Sequence, residues 1–159
     1  MPNATSIVRE AGAGDRRWFA GGGTHTWKVH TEDTEGSLLM FEDELTVGKM
    51  TPLHRHPDVD ETVYVLDGEI MLNLDGQEHQ LDAGSMSFCP RGVPHAFLVR
   101  SETARLLFVQ TPGSAQRFYL DASQPVAGPG PGPMDLDRVR DVAAQHLGTD
   151  LLGPPPFRP

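Results

Sequence analysis

Residues 48–68 read GKMTPLHRHPDVDETVYVLDG. His54 and His56 are one residue apart, so on a strand both imidazoles leave the same face. Pro57-Asp58 reads as a turn, and a strand returning from it would carry the Glu61 carboxylate back toward the two rings. Further on, residues 84–95 read GSMSFCPRGVPH. The Pro and Gly residues of this segment fix a tight turn, and His95 opens the next strand. If that strand pairs beside the first, a third imidazole reaches the same point. A lone histidine is more often a satisfied core or surface residue. Four donors at mutually compatible positions weigh the other way. Three neutral imidazoles and a carboxylate suit one divalent transition metal ion, and Mn, Fe, Co, Ni, Cu and Zn are all acceptable to such a set. A five- or six-coordinate metal would keep positions open for a substrate or oxygen.

The flanking sequence is a series of short β-like runs. Residues 26–29, 37–41 and 45–47 precede the quoted stretch. Residues 62–66, 70–74, 77–81, 85–88, 95–99 and 105–110 complete the set. Asp67-Gly68 and Asp75-Gly76 are tight-turn signals between them. Many short strands with regular turns predict an all-β sandwich, jelly roll or small barrel. Residues 1–23 read as a loose arm, 24–122 as the β-body and 123–134 as a Pro/Gly-rich connector. In 135–159, Asp135 can cap a helix that carries Leu136, Val139, Ala143 and Leu147 at helical spacing. Gly148 stands where a helix C-terminal glycine belongs.

Composition narrows the function. The chain has 159 residues, a net charge of −9 and a single cysteine, Cys89. A nucleic-acid partner needs a basic face, and an anionic membrane surface is disfavoured in the same way. No apolar run reaches the roughly 18 residues of a membrane span, and the N-terminus lacks a signal-peptide core. One cysteine permits no intrachain disulfide, which fits a cytoplasmic protein.

Gly48, His54, His56, Glu61 and Gly68 match the first motif of the cupin superfamily: Gly, five residues, His-x-His, four residues, Glu, six residues, Gly. Gly84, Pro90, Gly92 and His95 match the second, after a spacer of fifteen residues. Val99 departs from the motif, which usually ends in an Asn that is not a ligand. Looser similarity extends through residues 18–22, 64–68, 111–113 and 118–119 to 152–155. There the chain resembles single-domain cupins of the quercetin-dioxygenase type. The resemblance implies an all-β cupin double-stranded β-helix, a jelly-roll barrel, with a C-terminal helix. It implies metal ligation by His54, His56, Glu61 and His95, with Glu61 also catalytic, accepting a proton from the substrate. It implies a dioxygenase that cleaves a flavonol-like or other enolisable aromatic substrate with O2. Two alternatives stay open: a non-oxidative metal enzyme (isomerase, cyclase or decarboxylase) and a non-catalytic cupin that binds a small ligand.

The pocket is expected to be apolar and to take a small apolar or aromatic molecule. Phe97, in phase with His95, leads the lining residues, followed by Met50, Phe88 and Phe108. Each could equally be plain barrel core. Cys89 is expected to be a buried inert thiol, Arg91 a solvated turn residue, and Tyr64 outward-facing. His25, His30, His79 and His146 have no partners by spacing. The family resemblance also predicts a homodimer, with strand addition along residues 18–29 as the expected contact.

Overall fold

The computed structural model describes residues 4–19, 22–127 and 135–158. Its chain forms two antiparallel sheets that face each other across one core. The larger sheet contains β1 (Asp15–Phe19), β2 (Gly23–Val29), β3 (Leu39–Thr46), β5 (Asp60–Asp67), β8 (Met86–Cys89), β10 (Thr103–Thr111) and β11 (Ser123–Pro125), in the order β11-β1-β2-β3-β10-β5-β8. The smaller contains β4 (Leu53–Arg55), β6 (Glu69–Leu74), β7 (Gln77–Asp82), β9 (His95–Val99) and β12 (Asp150–Gly153), in the order β12-β4-β9-β6-β7. Two helices, α1 (Gln116–Asp121) and α2 (Leu136–Gln145), lie between β10 and β12 in the chain. This is the expected all-β jelly-roll barrel with a C-terminal helix.

Period-2 alternation decides which side chains face inward. In β5, Glu61, Val63 and Val65 are buried while Tyr64 is exposed. In β10, Ala104, Leu106, Phe108 and Gln110 are buried. The inward rows meet a core that includes Trp27, Leu39, Phe41 and Ile70, each almost wholly shielded from water. Burying one such side chain stabilises the fold by roughly 1.5–3 kcal/mol.

Several elements differ from the sequence expectation. The two short runs at 37–41 and 45–47 are one strand, β3. Its acidic centre, Glu42-Asp43-Glu44, reads as a break, but the alternation continues through it. Glu42 and Glu44 pair on the outside with Lys28 and Arg16, and Asp43 is buried inside. Asp75-Gly76 joins β6 to β7 as the expected hairpin. Asp67-Gly68 is instead a corner at which the chain passes from one sheet to the other. Gly68 has φ +81°, and a Cβ there would lie 2.3 Å from the Thr103 carbonyl oxygen, so only glycine fits.

Residues 15–19 form a strand with partners on both sides, β11 and β2, and β2 in turn lies between β1 and β3. Strand addition along 18–29 therefore has no free edge to use. Asp135 caps α2 as expected, accepting a hydrogen bond from the Arg138 amide at 3.0 Å. The helix ends earlier than its apolar spacing suggests. Val139 and Ala143 face the barrel, whereas Leu147 lies beyond the helix, 87% exposed. Ala20, Gly21 and residues 128–134 of the connector lie outside the described residues. Among the described residues, no helix is long and apolar enough to cross a membrane.

Candidate metal centre

The three motif histidines converge between the sheets. His54 lies on β4 and pairs directly across from His95 on β9. His56 follows two residues after His54 on the same face. One ring nitrogen from each lies within 4.8 Å of the other two. Glu61 arrives from β5 in the opposite sheet. One of its oxygens lies 3.3 Å from His56 Nε2 and the other 3.3 Å from His95 Nε2.

The tautomers follow from what the rear nitrogens touch. His54 Nδ1 lies 2.8 Å from the Pro52 carbonyl, His56 Nδ1 2.7 Å from the Gly148 carbonyl, and His95 Nδ1 3.0 Å from the Val93 carbonyl. A carbonyl only accepts, so each Nδ1 donates its hydrogen and each Nε2 lone pair turns to the shared point. This is the usual outer support of metal-binding imidazoles. His95 Nε2 is also buried with no hydrogen-bond partner; its contact with Glu61 is close but not aligned. A buried orphan nitrogen aimed at two further nitrogen donors fits a metal ion.

In the metal-free site the charges differ from those of a loaded one, because His95 holds a proton that a bound ion would displace. Burial, reinforced by the neighbouring His95 and His56, holds His54 well below the ordinary imidazole range and keeps it neutral. Burial acts to raise the Glu61 carboxyl, but His56 and His95 outweigh it and keep the group ionised. Burial alone would lower His95; contacts with Cys89 and Glu61 reverse this and push it up to about 10.

A second layer steadies Glu61. Gln110 sits opposite it across the β5–β10 pair and is fully buried. Its Nε2 donates to Glu61 Oε2 at 2.6 Å and to Tyr119 Oη at 2.8 Å. Tyr119 comes from α1, and its phenol is held well above the usual range, first by burial and then by the Glu61 charge. The phenol therefore stays protonated.

The centre opens on a narrow cavity of about 70 Å³. Its walls include Phe41, Phe97, Phe108, Phe118 and Tyr119, with Val139 of α2 and Leu151 of β12 on one side. Phe97 and Phe108 thus face the metal centre's cavity. Met50 and Phe88 do not line it. Phe88 is on the outward phase of edge strand β8 and is 52% exposed, and Met50 is half-buried where the backbone bridges Leu98. Cys89 is buried with its Sγ 3.2 Å from His95 Nδ1, on the rear of that ring. Arg91 clamps Asp60 with both guanidinium arms, Nε–Oδ1 at 3.1 Å and Nη2–Oδ2 at 2.8 Å, and so braces the turn before His95.

Sequence reasoning passed over Gln110, Tyr119, Gly148, His25, Asp43 and Lys49. The last three line the same cavity. Gln110 has a usable signal, a polar residue in the buried phase of an otherwise apolar strand. Tyr119 and Gly148 have none, because only tertiary packing brings them to the site.

Residues 41–110 match the family model of the cupin domain. That stretch is therefore a cupin domain. This cupin is 29% identical to quercetin 2,3-dioxygenase of Bacillus subtilis over 125 residues, 79% of its own length. It spans only 37% of that longer relative. Among solved structures it resembles the polyketide cyclase RemF from Streptomyces resistomycificus, with TM-score 0.57 and 25% identity, covering 79% of this cupin and 87% of the cyclase. An RmlC-like cupin from Shewanella frigidimarina superposes with TM-score 0.63 at 20% identity, covering 70% of this chain and 96% of that one, which speaks to fold alone.

Proposed function

We propose that this cupin is a metal-dependent enzyme acting on a compact, enolisable aromatic substrate, and that dioxygenation is its reaction. One observation carries the reading. Three imidazoles, each fixed by a backbone carbonyl, aim their free nitrogens at one point beside an ionised carboxylate, and His54 and Glu61 line an aromatic-walled cavity. His54, His56 and His95 would hold the metal, with Glu61 as a fourth ligand. A bound divalent metal would supply Lewis-acid stabilisation of an oxyanion and, for a redox-active ion, a route for electrons to O2.

The remaining roles belong to the chain. Glu61 accepts the enol or phenol proton, which its ionised state allows. Gln110 keeps that carboxylate aimed while the proton moves. The phenylalanine walls orient a flat ring and exclude water. Similarity to the Bacillus dioxygenase supports the oxidative reading. The cavity, about 70 Å³, sharpens the substrate class. Drug-sized ligands occupy sites of roughly 300–1,000 Å³, so a single-ring substrate suits the space better than a full flavonol.

The likeness to RemF favours one other reading, a non-oxidative cyclisation or isomerisation on the same ligands. Oxygen-electrode assays on protein reconstituted with each of the six candidate metals, using single-ring enols and flavonols, test the first reading. Oxygen consumption that disappears in Glu61→Gln supports dioxygenation. Product formed at the same rate under anaerobic conditions supports the second reading and overturns the first.

A further inference from the structure

The metal centre occupies only part of the cavity wall. His25, Asp43 and Lys49 line the same cavity and are 3%, 5% and 7% exposed. His25 and Asp43 are cross-strand partners on β2 and β3, which places them side by side. His25 is stacked between Phe19 and Phe41, with both centroids 4.6 Å away. Lys49, from the turn after β3, holds its ammonium 5.7 Å above the Phe19 ring. The strand register separates this group from the metal. Asp43 is level with Leu106, four residues along β10 from Gln110, so the two backbone rows are about 13 Å apart. Phe41 and Phe108 fill the row between them.

The polar atoms of this group are not fully used by one another. His25 Nε2 approaches Asp43 Oδ1 to 2.9 Å, but without the alignment of a hydrogen bond. Asp43 Oδ1 and His25 Nδ1 both lack a hydrogen-bond partner. A buried acceptor left in this state is costly and suits a ligand group that donates to it. Burial pulls the Lys49 ammonium down to about 8, with Asp43 partly opposing the shift, so this cation is desolvated and close to a carboxylate.

We propose that His25, Asp43 and Lys49 form a second polar subsite in the same cavity, and that it takes a neutral hydroxyl group of an aromatic molecule held at this end of the cavity. The chemistry selects that group. A hydroxyl donates its hydrogen to Asp43 Oδ1 or His25 Nδ1 and accepts one from Lys49 Nζ. A carboxylate or phosphate would place its charge against Asp43, and an ammonium against Lys49. Phe19 and Phe41 flank the His25 ring, which suits a phenolic hydroxyl in particular. The subsite rests on the reading that this cavity receives the substrate.

Calorimetric titration of the metal-free protein with phenol and with toluene tests it, since metal coordination then cannot hold the hydroxyl. Wild type is expected to bind phenol at least about tenfold more tightly than toluene. That preference should fall to within about twofold in Lys49→Met and in Asp43→Asn. Toluene binding serves in each variant as the check that the cavity has folded. In wild type, the resonance of 15N-labelled His25 Nδ1 should move on addition of phenol and not of toluene. Equal binding of the two probes in wild type, or a phenol preference that survives both substitutions, overturns the subsite while leaving the cavity as the substrate site. If neither probe binds wild type, the cavity reading itself fails and the subsite falls with it.

Discussion

At the residue scale, the site depends on side chains whose neighbours are chosen by strand phase. Gln110 and Glu61 face each other because both occupy inward positions of paired strands. Gln110→Leu would leave Glu61 Oε2 without its 2.6 Å donor in a water-poor site. A stability loss of about 1–3 kcal/mol is expected, read by urea unfolding. Activity should fall by about tenfold or more through a lower kcat, because Glu61 is no longer held in line. Lys49 makes a prediction about pH. Its folded-state pKa, about 8, lies below the ordinary 10.5, so between these values the unfolded chain binds more protons than the native one. Stability from this group is therefore lowest below pH 8 and recovers as pH rises toward 10.5. The shift corresponds to at most about 3 kcal/mol. Wild type should gain on Lys49→Met by up to that amount between pH 8 and 10.5, measured by paired denaturant titrations. A constant difference across this range would refute it.

At the scale of elements, the C-terminal segment belongs to the candidate metal centre although its sequence carries no candidate ligand. β12 pairs with β4 so that Leu151 lies opposite His54. Gly148, just before it, supplies the carbonyl that fixes the His56 tautomer. That residue has φ +111°, and a Cβ would come within 3.0 Å of Ala115 Cα. Gly148→Ala should cost roughly 1–3 kcal/mol of stability. Metal affinity should also fall by about 10–100-fold as the carbonyl moves from His56. Gly153→Ala, in the same segment, meets nothing within 4 Å and should change neither quantity. Competition with a chromophoric chelator measures the affinities. The helix before this segment was legible in part. Its cap and its buried pair Val139 and Ala143 follow the apolar spacing, but Leu147 continues that spacing past the true end of the helix.

At the scale of the whole molecule, the centre ties the two sheets together. His54 and His95 come from the smaller sheet and Glu61 from the larger, so an ion bound here should act as a cross-link between them. At a free metal concentration roughly 100 times Kd, binding would stabilise the native state by about 2.7 kcal/mol. For a chain of this length that is about 5–10 °C in Tm. Adding EDTA should remove the increment, and His54→Ala should abolish it. A Tm indifferent to metal and chelator would count against the centre.

Local pattern was enough to read the β-barrel and the candidate donors. Spacing within a strand dictates which side chains share a face, so His54 and His56 were legible as a pair, and period-2 runs with turn residues predicted an all-β body. The same local rule placed Phe97 in phase with His95. What surrounds those donors came from packing between distant parts of the chain. Strand register across sheets set Gln110 against Glu61 and His25 against Asp43, and the return of residues 146–153 brought Gly148 to His56. Register and sheet closure are set by long-range packing of the whole core, which no local pattern encodes. For the same reason Phe88, apolar and near the motif, could be taken for a pocket residue while it points to solvent from an edge strand.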